Sequence, residues 1–589
     1  MSQPQVLVLD AGGQYCHLIA RKVRELGVYA EVRPSETPAG ELAGARGVII
    51  SGGPSSVYES GSPVVDPALF ETGAAVLGIC YGQQLMAHLL KGRVRKGDKG
   101  EYGLAYIEVA DPTVPLFAGS GARQQVWMSH RDQVETVPEG FRVLGSTETC
   151  PVAAMGDPVR RLYGVQFHPE VVHTVHGRQI LSNFLFRVCG CVEDWNPKHQ
   201  IAAIEARIRE AAAGRKVFFF VSGGVDSTVA FTLCLRALGD ERVRGAYVDT
   251  GLMRSGETEF VRGVFDWLGA HGFRVEDARE RFLSALAGVR DPEEKRHTIG
   301  EKFVEVQEEI LQSGHFLDAD WILGQGTIYP DTIESGGTAK ADVIKTHHNR
   351  VPGIQRLIAE QRLVEPLSLL YKDEVREIGR ELGLPRELLE RHPFPGPGLA
   401  IRCLCAELDE PPVRLDEGWL IPVHSVGVQG DSRSYRPVLA IEDPPAPDGR
   451  PQQRATELIN RIAGINRVIS LVRSRIPVGE MQVRQSELHA VRLERLRAAD
   501  AIVRRLCQES GFERQVWQFP VILIPAGSAD WPDSVVLRPV HSVDGMTAQS
   551  VGMEPELLDR MAAELLAVDG VCAVFYDLTH KPPGTIEWE

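Results

Sequence analysis

The sequence predicts a multidomain α/β protein, with two parallel-sheet domains, the second doubly wound, followed by an α+β domain that contains an internal repeat. Three observations lead to this fold class. The chain has 589 residues, too many for one hydrophobic core, and its 43% hydrophobic and 24% charged residues are typical of globular proteins. Short apolar runs alternate with helical patterns as far as residue 402. Beyond that point, the string PVHSV occurs twice.

The first domain is predicted over residues 1–191, where buried strands alternate with helices in the pattern of a parallel sheet. The strands and the helix that this pattern indicates are Val6–Leu9, Leu18–Leu26 (the helix), Gly47–Ile50 and Ala75–Ile79. Asn196-Pro197 marks the following junction, because a residue that precedes proline avoids the helical conformation.

The second domain is predicted over residues 192–402. A helix at 199–213 precedes apolar strands at Val217–Val221, Val243–Val248 and Trp321–Leu323. The stretch RHPFPGPGLAIR at 391–402 ends the domain, because its prolines remove backbone donors from any sheet.

The third domain is predicted over residues 403–589 and contains the repeat. PVHSV occurs at Pro422–Val426 and at Pro539–Val543, 117 positions apart (539 − 422). A second pair of similar strings, Gly464–Ile469 and Gly570–Phe575, is 106 positions apart (570 − 464). The two similar spacings suggest a duplicated subdomain.

Charge and hydropathy exclude several classes of protein. A net charge of −15 argues against a nucleic-acid surface, and no apolar run approaches the roughly 18 residues that span a bilayer. The N-terminus lacks the basic and apolar regions of a secretory signal, so we expect a cytoplasmic protein without membrane or nucleic-acid partners. The ten cysteines are few, and most are expected to be buried.

Cys80 is the first candidate catalytic residue. It stands between an apolar β-branched run and an amphipathic helix, with Gly78 and Gly82 on either side. This pattern is typical of a nucleophile elbow, in which glycines permit a strained turn and the helix N-terminus stabilises negative charge. Further along, His168 can act as its general base, and Glu170 can orient the imidazole.

These motifs together resemble the class I glutamine amidotransferases. The resemblance implies that Cys80, His168 and Glu170 form a triad that makes a thioester with glutamine and releases ammonia. It also implies an oxyanion hole and glutamine pocket at Gly52, Gly53, Tyr81 and Gln84. Relatives commonly have SHGD where this chain has Ser129-His130-Arg131-Asp132, so Arg131 replaces a glycine.

A second motif, Ser222-Gly223-Gly224-Val225-Asp226-Ser227-Thr228, follows a buried strand and opens a helix. Backbone donors in such a turn bind anions. The motif lacks the lysine of a Walker A loop and resembles instead the loop of the ATP pyrophosphatases. The resemblance implies that residues 222–228 hold pyrophosphate, that Asp226 helps to bind Mg²⁺, and that Val248 meets the adenosine.

Longer strings at 293–300, 325–331, 345–349, 391–402 and 581–589 resemble the GMP synthetase family along the whole chain. The resemblance implies that glutamine-derived ammonia aminates xanthosine monophosphate (XMP), which ATP has activated as an adenylate. It places XMP at Arg296, Asp431, Gln518, Lys581 and Glu587. The third domain resembles the longer form found in the human enzyme, so a monomer is favoured over the homodimer of shorter forms.

Two alternative functions stay open at this point. One is another adenylating amidotransferase, such as glutamine-dependent NAD synthetase. The other is a nucleotide-sensing or scaffold protein that has lost catalysis.

Overall fold

The computed structural model describes residues 3–334, 351–429, 432–542 and 547–589. They divide into two compact units. The first contains the described residues up to Ala203 and two later stretches that begin at Ile328 and Leu369, and the second contains the others. Within these ranges, no helix combines the length and apolarity needed to cross a bilayer.

The first unit is built on a nine-stranded sheet with the order β2-β1-β3-β4-β9-β8-β7-β5-β6. Its elements are β1 (Val6–Asp10), α1 (Cys16–Glu25), β2 (Ala30–Pro34), α2 (Ala39–Leu42), β3 (Gly47–Ile50), β4 (Ala75–Ile79), α3 (Tyr81–Leu89), β5 (Arg93–Val109), β6 (Arg123–Thr136), β7 (Arg142–Ser146), β8 (Ala154–Asp157), β9 (Leu162–Val165) and α4 (Gly177–Ser182). The strands from β2 to β9 in this order are parallel. Val6 and Val8 pack into one core and Leu7 and Leu9 into another, so β1 is buried on both faces.

The second unit contains a five-stranded parallel sheet with the order β12-β11-β10-β13-β14. The chain from residue 201 to residue 389 forms α5 (Ile201–Ala212), β10 (Lys216–Phe220), α6 (Val225–Leu238), β11 (Val243–Asp249), α7 (Glu257–Trp267), β12 (Phe273–Asp277), α8 (Arg279–Ala285), α9 (Pro292–Ser313), β13 (Trp321–Gly324), α10 (Tyr329–Glu334), α11 (Pro352–Ala359), β14 (Leu363–Val364), α12 (Lys372–Glu381) and α13 (Arg386–Leu389). Of these helices, α10 and the parts of α5 up to Ala203 and of α12 up to Glu377 belong to the first unit. The strand order reverses between β10 and β13, where open parallel sheets bind their ligands.

A seven-stranded mixed sheet, β15-β16-β17-β18-β25-β22-β20, completes the second unit. The chain from residue 413 to residue 577 forms β15 (Val413–Leu415), β16 (Gly418–Gln429), β17 (Ser432–Ile441), α14 (Arg450–Arg461), β18 (Arg467–Ser474), β19 (Gln482–Val483), α15 (Ala490–Ser510), β20 (Val521–Ile524), β21 (Ala526–Gly527), β22 (Asp533–Leu537), β23 (Val540–His541), β24 (Gln549–Ser550), α16 (Pro555–Leu566) and β25 (Val571–Asp577). β19 pairs with β21, and β23 pairs with β24, in two separate two-stranded sheets. β18 and β25 are antiparallel, and each is parallel to its outer neighbour.

The secondary structure expected from the sequence agrees with these bounds. Gly47–Ile50 and Ala75–Ile79 are strands as predicted. The helix predicted at Leu18–Leu26 begins two residues earlier, at Cys16, and the strand predicted at Val217–Val221 is shifted by one residue. Such differences arise because the ends of elements depend on capping contacts rather than on hydropathy.

A buried charge cluster holds the end of the chain to the seven-stranded sheet. One oxygen of Asp577 lies 2.9 Å from Arg467, 2.6 Å from Arg538 and 2.9 Å from the indole nitrogen of Trp588. The other accepts the backbone N–H of Thr579 at 2.9 Å. Burial raises the pKa of Asp577, but the two guanidinium groups outweigh it and hold that pKa below its usual value. Asp577 is therefore an ionised carboxylate that compensates two buried cations.

We predict that Asp577→Asn destabilises the second unit by about 3–5 kcal/mol, because it leaves two buried arginines without their counter-charge. Urea unfolding followed by tryptophan fluorescence measures the loss. Asp569→Asn is the matched control, since this aspartate is exposed next to the same strand and should change stability little. Equal unfolding midpoints for the two variants would contradict the assignment.

Candidate active sites

The Cys80 turn has the geometry of a nucleophile elbow. Cys80 lies between β4 and α3 with φ 52° and ψ −105°, a strained conformation for a residue with a side chain. A Cβ on Gly78 would lie 2.5 Å from the Gly82 carbonyl, and a Cβ on Gly82 would lie 2.3 Å from the Ile50 oxygen. Only glycines therefore allow α3 to pack this closely on β3 and β4.

His168 and Glu170 follow β9, the strand next to β4, so they meet Cys80 at one edge of the sheet. Nδ1 of His168 lies 2.7 Å from Oε1 of Glu170, and both side chains are buried. A Cβ on Gly52 would lie 3.1 Å from Cε1 of His168 and 3.5 Å from Cβ of Cys80, so both residues border Gly52. The structure thus brings the three predicted triad residues together.

The electrostatics of this site favour a charged imidazole. Burial lowers the pKa of His168, but the charge of Glu170 and hydrogen bonds with Cys80 and Glu170 outweigh it and raise that pKa to about 10. At neutral pH the ring is therefore protonated, with Glu170 as its buried counter-charge. Such a ring can both stabilise a thiolate and donate a proton.

Two further groups touch the sulfur of Cys80. Nε2 of Gln166 lies 3.6 Å from it, and the backbone oxygen of Ser129 lies 3.8 Å from it. Gln166 was not a candidate from the sequence, although its spacing of two residues from His168 was a usable signal. Nε2 of Gln84 donates to Asp132 O at 2.8 Å and to Gln166 at 3.2 Å, so its glutamine-binding role stays a prediction.

Two of the predicted oxyanion donors border Cys80: Gly52, where a Cβ would lie 3.5 Å from Cβ of Cys80, and Tyr81, which follows it in the chain. Gly52 and Gly53 follow β3, and a Cβ on Gly53 would lie 2.3 Å from the oxygen of Ala11. Among the described residues, the backbone N–H groups of Gly52, Gly53 and Tyr81 have no acceptor. They are therefore available to a ligand. Arg131, the departure from the SHGD pattern, is exposed.

The second predicted loop lies where the order of the five-stranded sheet reverses. Residues 222–224 follow β10, and α6 begins at Val225. The hydroxyls of Ser222 and Ser227 lie 3.0 Å apart, and Gly224 N–H donates to Ser222 at 3.3 Å. Thr228 is buried and donates to the Gly224 oxygen at 2.8 Å, so it stabilises the turn itself.

Neighbouring strands contribute to the same edge. A Cβ on Gly326, which follows β13, would lie 2.9 Å from backbone atoms of Asp226 and Ser227, so the two loops are in close contact. Val248, the predicted adenosine contact, lies near the end of β11 and is buried. The loops after β10 and β13 and the end of β11 therefore form this edge.

The predicted XMP residues are only partly brought together. Nε2 of Gln518 lies 3.0 Å from Glu587, whose carboxylate also binds Arg402 through two bonds of 2.9 and 2.7 Å. Arg296 donates to the backbone oxygen of Glu589, two residues further along. The backbone of Lys581 pairs with Ala548. Asp431 and the string at 345–349 lie outside the described residues.

Arg402 was missed by the sequence analysis. Its side chain is buried, and its bidentate contact fixes the carboxylate of Glu587. The two residues are 185 positions apart, and no local sequence spacing predicts a pair so far apart.

Two models of known protein families match the chain, one in its N-terminal part and one in its C-terminal part. Residues 7–188 match the model of the class-I glutamine amidotransferases. Residues 505–588 match the model of the GMP synthase C-terminal domain.

Full-length relatives connect these two regions. The chain is 42% identical to the glutamine-hydrolysing GMP synthase of Symbiobacterium thermophilum, with 100% of both chains aligned. It is 41% identical to the proteins of that name from Streptomyces coelicolor and Thermobifida fusca, with 99% of this chain and 98% of each relative aligned. The chain belongs to the GMP synthase family.

Proposed function

We propose that this chain is a glutamine-hydrolysing GMP synthase that converts XMP, ATP and glutamine into GMP, AMP, pyrophosphate and glutamate. The observation that carries the proposal is the thiol, imidazole and carboxylate set around Cys80, in a chain whose relatives of that name match it from end to end. The glycine-rich loop at 222–228 supports the ATP-dependent half of the reaction.

The glutaminase half follows from the groups around Cys80. The thiolate attacks the amide carbon of glutamine, and N–H groups of Gly53 and Tyr81 bind the developing oxyanion. The His168 imidazolium donates its proton to the departing ammonia, leaving a thioester. His168 then takes a proton from the water that releases glutamate. Throughout, Glu170 holds the ring orientation and stabilises its cation.

The synthetase half would use the loop at 222–228. Its backbone N–H groups and the hydroxyls of Ser222 and Ser227 suit pyrophosphate, which leaves as the XMP oxygen binds the α-phosphorus of ATP. Val248 would contact the adenosine. The carboxylate of Asp226 in the first turn of α6 is a hard oxygen donor that fits Mg²⁺, which would neutralise phosphate charge when it is bound with ATP.

The acceptor would bind near the C-terminal tail. Arg296 and Lys581 suit the phosphate of XMP, and Gln518, Glu587 and Asp431 suit its ribose or base. The contacts of Glu587 with Arg402 and Gln518 support this assignment, because they hold a carboxylate in a fixed place. Ammonia would attack the activated purine carbon, and AMP would leave.

We also propose the repeat, the domain division 1–191, 192–402 and 403–589, and the longer family form. Shifting Ile469 by 106 positions gives Phe575, and shifting Leu471 gives Asp577. The strands pair Ile469 with Asp577 and Leu471 with Phe575, as a two-fold axis at the Ser470–Tyr576 pair requires. This symmetry supports a duplication. The PVHSV strings do not follow this symmetry. β17 and β22 are equivalent strands, because each pairs in parallel with one member of the central pair. The first PVHSV string lies in β16, before β17, whereas the second begins after β22.

A duplication of this kind has a consequence for the oligomeric state. The antiparallel pair of β18 and β25 joins the two copies within one chain, so the same edge is not open to a second chain. We therefore propose a monomer.

We propose a cytoplasmic location, which the ten free cysteines support, because disulfides are rare in reducing compartments.

Cys80→Ala should abolish GMP formation from glutamine and leave GMP formation from added ammonium, because the synthetase chemistry does not use the thiol. Both rates are measured by the absorbance change as XMP becomes GMP. Cys234→Ser, a buried cysteine in the second unit, is the control and should retain both activities. Loss of the ammonium-dependent rate in Cys80→Ala would contradict the two-site scheme.

Glu170→Gln should lower the pH above which glutaminase activity is lost. With a pKa of about 10, His168 stays protonated until the solution approaches that pH, and the stability from its ion pair is lost only as pH rises through it. The variant removes the counter-charge, so the alkaline limb of kcat/KM should move towards the ordinary histidine pKa of about 6.5. We expect kcat to fall by about 10²-fold or more.

The control for this profile is Glu148→Gln, an exposed glutamate of the same unit. An unchanged alkaline limb in Glu170→Gln would show that the carboxylate does not set the charge of His168.

Light scattering at micromolar concentration should give one species near 64.8 kDa. A stable species of twice this mass would refute the proposed monomer while leaving the enzymatic assignment intact.

A further inference from the structure

A second cluster of chemically active side chains lies in the first unit. It consists of Glu101 on β5, His130 on β6 and Cys150 in the turn after β7. Oxygen, nitrogen and sulfur ligand atoms from the three residues all lie within 4.8 Å of one another. Glu101 and His130 are direct cross-strand partners, so the sheet ladder fixes their approach. The His130 side chain is 3% exposed and that of Glu101 13%.

The hydrogen bonds of His130 place a proton or a metal ion between its ring and Glu101. Nδ1 lies 3.0 Å from the backbone oxygen of Asp132, which only accepts, so Nδ1 carries a hydrogen. Nε2 lies 3.0 Å from Oε2 of Glu101, and Oε1 of that residue accepts the hydroxyls of Thr147 and Thr149. A lone pair on Nε2 facing a carboxylate oxygen is repulsive, so either a second proton or a metal ion must lie between them.

The surroundings match those of a metal-binding histidine. A bond from Nδ1 to a backbone oxygen fixes the tautomer that presents Nε2 to a metal, and hydroxyl donors hold the carboxylate in the same way. Imidazole, thiolate and carboxylate together are ligands of zinc, with bonds of about 2.0–2.3 Å. In a tetrahedral site, ligands at these distances lie about 3.3–3.8 Å apart. The three atoms lie within 4.8 Å of one another, so those furthest apart must approach by about 1 Å.

We propose that Glu101, His130 and Cys150 bind one divalent ion of the zinc class, with water as the fourth ligand. Binding replaces the proton on the Cys150 sulfur and the proton between His130 and Glu101, and both go to solvent. Thr149, whose hydroxyl donates to Glu101, is exposed, so the cluster lies close to the surface of the protein. The site is separate from the triad, although Ser129, next to His130, lies against Cys80.

The test uses Co²⁺ as the probe in a Cys80→Ala background, so that the catalytic thiol cannot ligate it. We expect one Co²⁺ per chain, a near-ultraviolet thiolate-to-cobalt absorption band, and stoichiometric displacement by Zn²⁺. Adding Cys150→Ser should remove the band, whereas adding Cys234→Ser should leave it unchanged. Absence of the band, or its survival in the Cys150→Ser protein, would overturn the proposal.

A second variant keeps the test decisive if Cys150→Ser lowers the yield of folded protein. Adding Glu101→Gln retains the thiol, so the band should persist while the affinity for Co²⁺ falls by about 100-fold, the upper end of the range for losing even an outer-shell partner. Far-ultraviolet circular dichroism verifies the fold of each variant. An unchanged affinity in Glu101→Gln would exclude the carboxylate as a ligand and overturn the three-residue site.

Discussion

The close packing of α3 against β3 and β4 is the constraint on which the geometry of the Cys80 site depends. Gly78 and Gly82 lie in that contact, and a Cβ at either position would overlap a carbonyl group. This packing forces Cys80 into a positive φ and presents its sulfur at the carboxyl edge of the sheet. β4, which precedes the turn, is buried on both faces, and its packing holds the strained conformation in place.

Sheet order then determines which groups can reach the sulfur. β9 lies directly beside β4, so the residues that follow it, Gln166, His168 and Glu170, emerge next to Cys80 although 86 or more positions separate them in the chain. The five-stranded sheet uses the same rule differently. There the loops after β10 and β13 meet, and they present hydroxyls and backbone donors instead of a nucleophile. One architectural rule thus places a thiol at the edge of one sheet and a candidate anion-binding loop at the edge of the other.

Local motifs were predictable because the chemistry they carry is local. A strand, a glycine turn and a helix are adjacent in sequence, so the elbow at Cys80 and the loop at 222–228 could be located from the residues alone. Partners that meet only through tertiary packing could not. The bond between Arg402 and Glu587 joins two distant segments, and the identical PVHSV strings suggested an offset that the strand pairing does not follow. A short stretch of sequence identity is therefore weaker evidence for an internal repeat than the pairing register of two strands in a sheet.

Buried charges hold the C-terminal tail in one position. Trp588 is fixed by Asp577, and its neighbour Glu587 is fixed by Arg402, so the candidate XMP carboxylate is placed by two ion-pair networks rather than by a free loop. Burying such charges is costly, and apolar residues of similar size often stabilise a core as well. Retaining them is therefore better explained by the position they impose on Glu587.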